Sequence, residues 1–512
     1  MAKKRTIAAL DVGSHEITLK IAQLERTGLP LVLETVRQTL AIGTDTYRTG
    51  EISDVTVREL VTVIERMAGK IREYKVTQIL AVATSAIREA RNRQVVLDQI
   101  DRICRHPIQI LSNAQERYFH NLATIAHWPQ FADQIREGTL VLDLGSGSIQ
   151  VTVYDKGAFL FSQNMRLGAL RIRELLADLE RRTADFGRLM EDYISTDLEN
   201  YRALEPKGTT YKNFIVLGAD TRYMKLLAGL EPDQPAILSA LQLEAIYRQF
   251  LNTSPAELSM DYDIPSEHAS LLLPSAILVR KFIDFTGVKT ISMPVTSLSD
   301  GLLIDLARQY GHIELSHDPD DDILHAARQM LRRYQSNKRH VQYVEHAAAQ
   351  IFDATRRLHR LGKRQRQLLQ LASLLHDTGK FVNMNHHRIR SYHIILSTEI
   401  IGLSDEEQRQ VAWLARFYSG VVSYTEPGFE ELVPKAQLEV FKLAAILRLA
   451  DSLDASHRQA VTIEDISMDE DTLVLHVASL EDLTLVQWSF EHKSPLFRAV
   501  FGITPRIKVR RK

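Results

Sequence analysis

A chain of 512 residues, 45% hydrophobic and 25% charged, has material for several packed cores at roughly one domain per 150 residues, which excludes disorder as its dominant state. Lys+Arg 63 against Asp+Glu 64 leaves a net charge of −1, which argues against a dedicated nucleic-acid coat protein but not against local basic patches. A lone cysteine, Cys104, excludes an intramolecular disulfide and a Cys-rich zinc site and fits a reducing compartment.

The N-terminus opens Met1-Ala-Lys-Lys-Arg5, but the apolar run behind it, Thr6–Leu10, stops at Asp11. That is shorter than the roughly 7–15 apolar residues of a secretory signal. No stretch approaches ~18 uninterrupted apolar residues, so no membrane span is expected. The expectation is a soluble cytoplasmic protein without membrane or nucleic-acid partners.

Along the chain, Thr6–Asp11, Ile17–Gln23 and Leu31–Ile42 predict a strand meander with turn residues Gly13 and Ser14. Ser53 or Asp54 caps a periodic helix to about Arg72. A strand at Gln78–Thr84 leads into a helix rich in Arg and Asn. A short strand at Ile108–Leu111 precedes a helix over Asn113–Ala126. Thr139–Leu144 and Ile149–Tyr154 repeat the strand, tight turn, strand pattern, so the chain restarts there. Helices dominate after 165, with a further strand at Asn213–Leu217. Ser316-His-Asp-Pro-Asp-Asp-Asp322 breaks the pattern, and helices then run to about 455. Alternating segments at Thr472–Val477 and Leu483–Phe490 predict a small β-containing tail.

Asp11-Val-Gly-Ser14 and Asp143-Leu-Gly-Ser-Gly-Ser148 each stand where a buried strand ends in a tight turn. Glycine lets backbone N–H groups approach an anion, the hydroxyls add donors, and the Asp can hold a divalent cation or orient a water. Either turn alone reads as an ordinary hairpin. Two of them, each opening an α/β unit, point to a duplicated fold that clamps phosphate between its halves.

These turns, with Ala83-Thr-Ser-Ala-Ile-Arg-Glu-Ala90, Ser112-Asn-Ala-Gln-Glu116 and Arg448-Leu-Ala-Asp-Ser-Leu-Asp454, resemble the Ppx/GppA family of exopolyphosphatases and guanosine-pentaphosphatases, over essentially the whole chain. The resemblance implies an actin-like (ASKHA, ribonuclease H-like) α/β fold and Mg²⁺-dependent release of terminal phosphate from polyphosphate or pppGpp. It implies Glu116 as general base, a role that suits phosphoanhydride hydrolysis, where a carboxylate must accept the proton of a positioned water. Phosphate binding is expected of Asp11, Gly13, Ser14, Asp143, Gly145, Ser146, Gly147 and Ser148, with Asp143 also a metal ligand. Arg88 either pairs with phosphate, whose oxygens suit its fork, or faces water. The chain departs from the family pattern at His15 and Glu16, at Gln150 in place of an acidic residue, at Gly218-Ala-Asp220 and at Leu298-Ser-Asp-Gly301.

In the helical region, His346, His376-Asp377 and Asp451 follow the His … His-Asp … Asp ligand pattern of HD phosphohydrolases. Such N/O ligands suit Mn²⁺, Fe²⁺, Mg²⁺ or Zn²⁺ and leave positions for an activated water. A second cluster, His386, His387, Arg388, Arg390 and His393, could line a phosphate pocket with Lys380. The basic run Arg356–Arg366 is read as a helix end and a solvated next helix.

The expected architecture is α/β: actin-like domains at 1–135 and 136–312, an all-helical HD-type domain at 323–455 and a small α/β tail at 456–512. The first reading is an exopolyphosphatase-type hydrolase, a homodimer as the family implies. Two others stand beside it: hydrolysis at the HD-type centre with a regulatory actin-like half, and a non-enzymatic sensor of polyphosphate or guanosine polyphosphate.

Overall fold

In the first two strands nearly every side chain is buried, because both faces of the sheet are covered there. β1 (Thr6–Val12) and β2 (Glu16–Gln23) form an antiparallel hairpin, and β3 (Leu31–Thr39) extends it. β4 (Gln78–Ala83) and β5 (Gln109–Ile110) add parallel strands on the other side, giving the order β3-β2-β1-β4-β5. The helix Asp54–Glu73, capped by the Ser53 hydroxyl, makes the crossover that a parallel strand requires and packs Leu60, Ile64 and Met67 on the sheet. This is a computed structural model, and it describes residues 5–511 apart from Arg26, Arg105, Arg181, Ala184 and His312; the Cys104 and Arg511 side chains also lie outside the described residues.

The same topology then recurs. β6 (Thr139–Leu144), β7 (Ile149–Asp155) and β8 (Ala158–Met165) are an antiparallel meander; β9 (Asn213–Leu217) joins β6 in parallel, and β11 (Thr290–Met293) joins β9 in parallel. β10 (Ala236–Ser239) pairs antiparallel with β11, so the order is β10-β11-β9-β6-β7-β8. Strands β6 to β9 and β11 thus repeat β1 to β5 in order and sense. The restart read at Thr139 is a duplication of fold. Of these strands, β8, β10 and β11 had no counterpart in the sequence reading: β8 is mostly half-buried and β10 and β11 have four residues each, too little for a period to show.

One helix falls on the other side of the expected division. The expected 136–312 domain includes Leu298–Arg308, yet Leu298, Leu302, Leu303 and Leu306 pack with Ile7, Ala9 and Val82 of the first sheet and with Leu111 just after β5. A Cβ on Gly301 would stand 2.0 Å from the Phe119 carbonyl oxygen, so the absence of a side chain lets this helix lie directly on the helix Asn113–His127.

The chain forms two compact units, Met1–Asp322 and Ile323–Lys512. The second is built on the helices Lys338–Ala354, Lys363–Leu375, Asp405–Phe417 and Pro434–Ser452. It ends in a three-stranded sheet, β12 (Thr462–Met468), β13 (Thr472–Ser479) and β14 (Thr504–Arg511), in the order β12-β13-β14. The strand expected at Leu483–Phe490 is instead part of a helix, Thr484–Phe501. Val486, Phe490 and Phe497 bury one face at spacings of four and seven, and the helix is the crossover joining parallel β13 and β14. Among the described residues, no helix is long and apolar enough to cross a membrane.

Candidate functional site

The turns after β1 and β6 have one geometry. Gly13 N–H donates to the Glu16 carbonyl at 3.0 Å and Gly145 N–H to the Ser148 carbonyl at 3.0 Å. A Cβ on either glycine would lie 2.6 Å from that acceptor. The Ser14 carbonyl accepts from Gly43 N–H (2.8 Å) and the Ser146 carbonyl from Arg171 N–H (3.2 Å), so each turn is seated on a helix that follows its meander. Both turns line one cavity of about 250 Å³, together with Asp11, Thr84, Ser85, Glu116, His120 and Asp143. Every phosphate-binding candidate except Arg88 is in that lining.

The Ala83–Ala90 string wraps the first turn. The Ser14 hydroxyl meets Ser85 Oγ at 2.8 Å and Tyr47 Oη at 2.8 Å, and accepts from Ala86 N–H at 3.2 Å. Gly147 of the second turn closes on the same group: a Cβ there would be 2.0 Å from Tyr47 Oη and 2.4 Å from Ser85 Oγ. Arg171 binds the turn from beneath, donating from Nε to the Gly147 carbonyl at 2.5 Å and from Nη2 to Glu89 at 2.7 Å, with its guanidinium 4.0 Å over the Tyr47 ring.

Arg88 is neither in the lining nor free for phosphate. Its Nη1 donates to Glu116 Oε2 (3.2 Å) and the Leu111 carbonyl (2.6 Å), and its Nη2 to Asn113 Oδ1 (2.5 Å). The guanidinium fastens the first turn of the Asn113–His127 helix, which carries Glu116 to the cavity. That helix starts at a capping box between Ser112 and Gln115.

The cavity concentrates buried acid. Burial, then the charges of Glu116 and Glu16, push the Asp11 carboxyl up to about 8, and its Oδ1 makes no hydrogen bond among the described residues. Burial also raises Asp143, opposed by His120, whose Nε2 lies 3.5 Å from Asp143 Oδ2. His120 was missed in the sequence, although it stands four residues after Glu116 and so on the same helical face. Gln150 is buried opposite Asp143 in the β6–β7 register and is not in the lining.

His15 and Asp220 enter the same lining. His15 lies edge-on to His268 with ring centroids 4.8 Å apart, and burial chiefly holds it down at about 4. Asp220 accepts from the Ser275 hydroxyl and is raised by burial.

In the second unit, His376, Asp377 and Asp451 come together, but His346 does not join them. It is exposed on the Lys338–Ala354 helix, and its place is taken by His340, whose Nε2 lies 3.2 Å from Asp451 Oδ1 and 3.8 Å from Asp377 Oδ2. Six residues turn an α-helix by about 240°, so the two histidines cannot share a face. Of the expected second cluster, His386, Arg390 and His393 are exposed, while His387 Nε2 meets Tyr418 Oη (2.6 Å), which donates to Asp377 Oδ1 (3.1 Å).

The profile of the Ppx/GppA phosphatase family matches residues 20–309, and that of Ppx/GppA phosphatase domain III matches residues 324–494. A guanosine-5'-triphosphate,3'-diphosphate pyrophosphatase of Aeromonas hydrophila is 22% identical over 492 residues, covering 92% of each chain. Among solved structures, an exopolyphosphatase from Cytophaga hutchinsonii has a TM-score of 0.51 at 17% identity, over 60% of this chain and 98% of its own. An exopolyphosphatase-like protein has a TM-score of 0.52 at 21% identity, over 60% of this chain and 99% of its own. Matching turns, a shared cavity and profiles over both units lead to one conclusion: the chain belongs to the Ppx/GppA phosphatase family and is a hydrolase acting on phosphoanhydride bonds.

Proposed function

We propose that the cavity of the first unit releases the terminal phosphate of inorganic polyphosphate or of guanosine pentaphosphate, with Glu116 as general base and Mg²⁺ as cofactor. The observation that carries this reading is that Asp11, Glu116 and Asp143 line one cavity between two turns of equal geometry. The names of the relatives supply the two candidate substrates, a pentaphosphate for one and polyphosphate for another. An acid-lined cavity repels a polyanion unless a cation intervenes. Asp11, buried with an unpartnered oxygen, and Asp143 fit a divalent cation, which favours their ionised forms.

When bound, Mg²⁺ offsets charge on the terminal phosphates. The chain's own part is to hold and to move a proton. Backbone N–H groups and the hydroxyls of Ser146 and Ser148 receive phosphate oxygens. Glu116, fixed by Arg88, takes the proton of the attacking water as the new P–O bond forms. The bridging P–O bond breaks and its electron pair leaves with the shortened chain.

Phosphate release from polyphosphate and from pppGpp, with Mg²⁺ and with excess chelator, tests the proposal. Glu116→Gln is expected to lower kcat by about 10²–10⁴-fold, the usual share of a general base, with chelator abolishing release. Full activity in Glu116→Gln would remove the base assignment. No release from either substrate, with tight binding retained, would make the cavity a sensor. We also propose that the protein acts in the cytoplasm as a homodimer, as the family resemblance implies; sedimentation at the mass of one chain would reject the dimer.

A further inference from the structure

We propose that the second unit holds a divalent first-row transition-metal ion, bound by His340 Nε2, His376 Nε2 and the carboxylates of Asp377 and Asp451. This site is separate from the proposed cavity of the first unit and does not depend on it. The ligand atoms of His340, His376 and Asp377 lie within 4.8 Å of one another, all three residues being buried. Asp451 Oδ1 is 3.2 Å from His340 Nε2 and 3.5 Å from His376 Nε2.

The orientation of the two rings favours a metal over a simple ion-pair network. His376 Nδ1 is 2.8 Å from the Ser373 carbonyl, which fixes the proton on that nitrogen and turns a lone pair on Nε2 towards the carboxylates. Nε2 is buried and makes no hydrogen bond among the described residues. His340 Nδ1 is 2.8 Å from Asp454 Oδ2, and Asp454 is itself anchored by Gln459 N–H (2.7 Å) and Gln459 Nε2 (2.8 Å). A backbone carbonyl behind one histidine and a carboxylate behind the other are the outer contacts that orient metal-binding imidazoles. The pocket also calls for positive charge: the Lys493 ammonium sits on Asp451 and that of Lys380 on Asp377.

Two imidazoles with two carboxylates select Mn²⁺, Fe²⁺ or Zn²⁺ over Mg²⁺, which takes oxygen ligands. Lys493, from the Thr484–Phe501 helix, competes with the ion for Asp451 and gives way when the ion enters.

The test uses the full chain, stripped with chelator and titrated with Mn²⁺, with Zn²⁺ and, without oxygen, with Fe²⁺. Bound metal is measured by elemental analysis after gel filtration, beside a thermal melt. One ion per chain and a raised melting temperature are expected for at least one of the three. Asp454→Asn should weaken binding by about 10–100-fold. His346→Ala should bind as the wild type does, and Lys493→Met at least as tightly. Wild-type protein that retains no ion overturns the proposal, whatever Lys493→Met does, and leaves a cluster neutralised by lysine. Binding lost in His346→Ala but kept in His340→Ala overturns the ligand assignment. Phosphate release by the Glu116 cavity is a separate readout, so either proposal can fail alone.

Discussion

His15 stands in the first turn, where the chain departs from the family pattern, and its burial has a measurable consequence. Its ring is kept neutral, held down at about 4 against an ordinary value of 6.5, first by burial and then by His268. Below pH 6.5 the unfolded chain therefore binds a proton that the folded chain refuses, so stability is lost as pH falls from 6.5 towards 4. His15→Phe removes that contribution. Between pH 7 and pH 5 the wild type should lose ~2 kcal/mol more than the variant, read from urea unfolding at each pH. Equal losses would mean that other groups govern acid sensitivity. Glu116 depends on its position: Arg88, read as meeting either phosphate or water, holds the Glu116 carboxylate instead.

Among the elements, the Leu298–Arg308 helix links stability to the site, because it lies against the helix bearing Glu116 through the bare Cα of Gly301. Its Asp300, in a stretch that departs from the family pattern, forms an ion pair with buried Lys20 of β2 at 2.6 Å, shared with Ser297. Removing one partner leaves a buried charge uncompensated, so Asp300→Ala should cost about 3–5 kcal/mol, whereas Lys20→Met/Asp300→Leu should recover most of it. A denaturant titration of the three proteins decides. Additive losses in the double variant would mean that the pair is not coupled.

For the whole molecule, two compact units with separate cores predict unfolding that is not two-state. Calorimetry should resolve two components. Leu302→Ala, in the core of the first unit, should lower one component alone, at a cost of about 2–5 kcal/mol. Trp413→Ala, buried among Phe417 and Phe429 in the second, should lower the other at a cost of about 3–5 kcal/mol. A single component that shifts with both variants would show that the units unfold together.

Much of this was legible in the linear chain, because local patterning carries it. β6 and β9 begin and end where their apolar runs do, and the Asp54–Glu73 helix starts at its Ser53 cap. The two Asp-x-Gly turns announced a duplicated fold, since a glycine that must approach a carbonyl is marked in sequence. What remained hidden depends on neighbours distant in the chain. The Leu483–Phe490 segment is a helix because parallel β13 and β14 need a crossover, and the 298–308 helix joins the first sheet because its leucines meet Ile7 and Val82 there. His340 and His346 sit on one helix with nothing in their local sequence to separate them. Only the position of Asp451 and Asp454, more than a hundred residues on, turns one into a cluster and leaves the other in water. Residue type and spacing thus determined which chemistry the chain could carry, and packing decided which side chains meet to perform it.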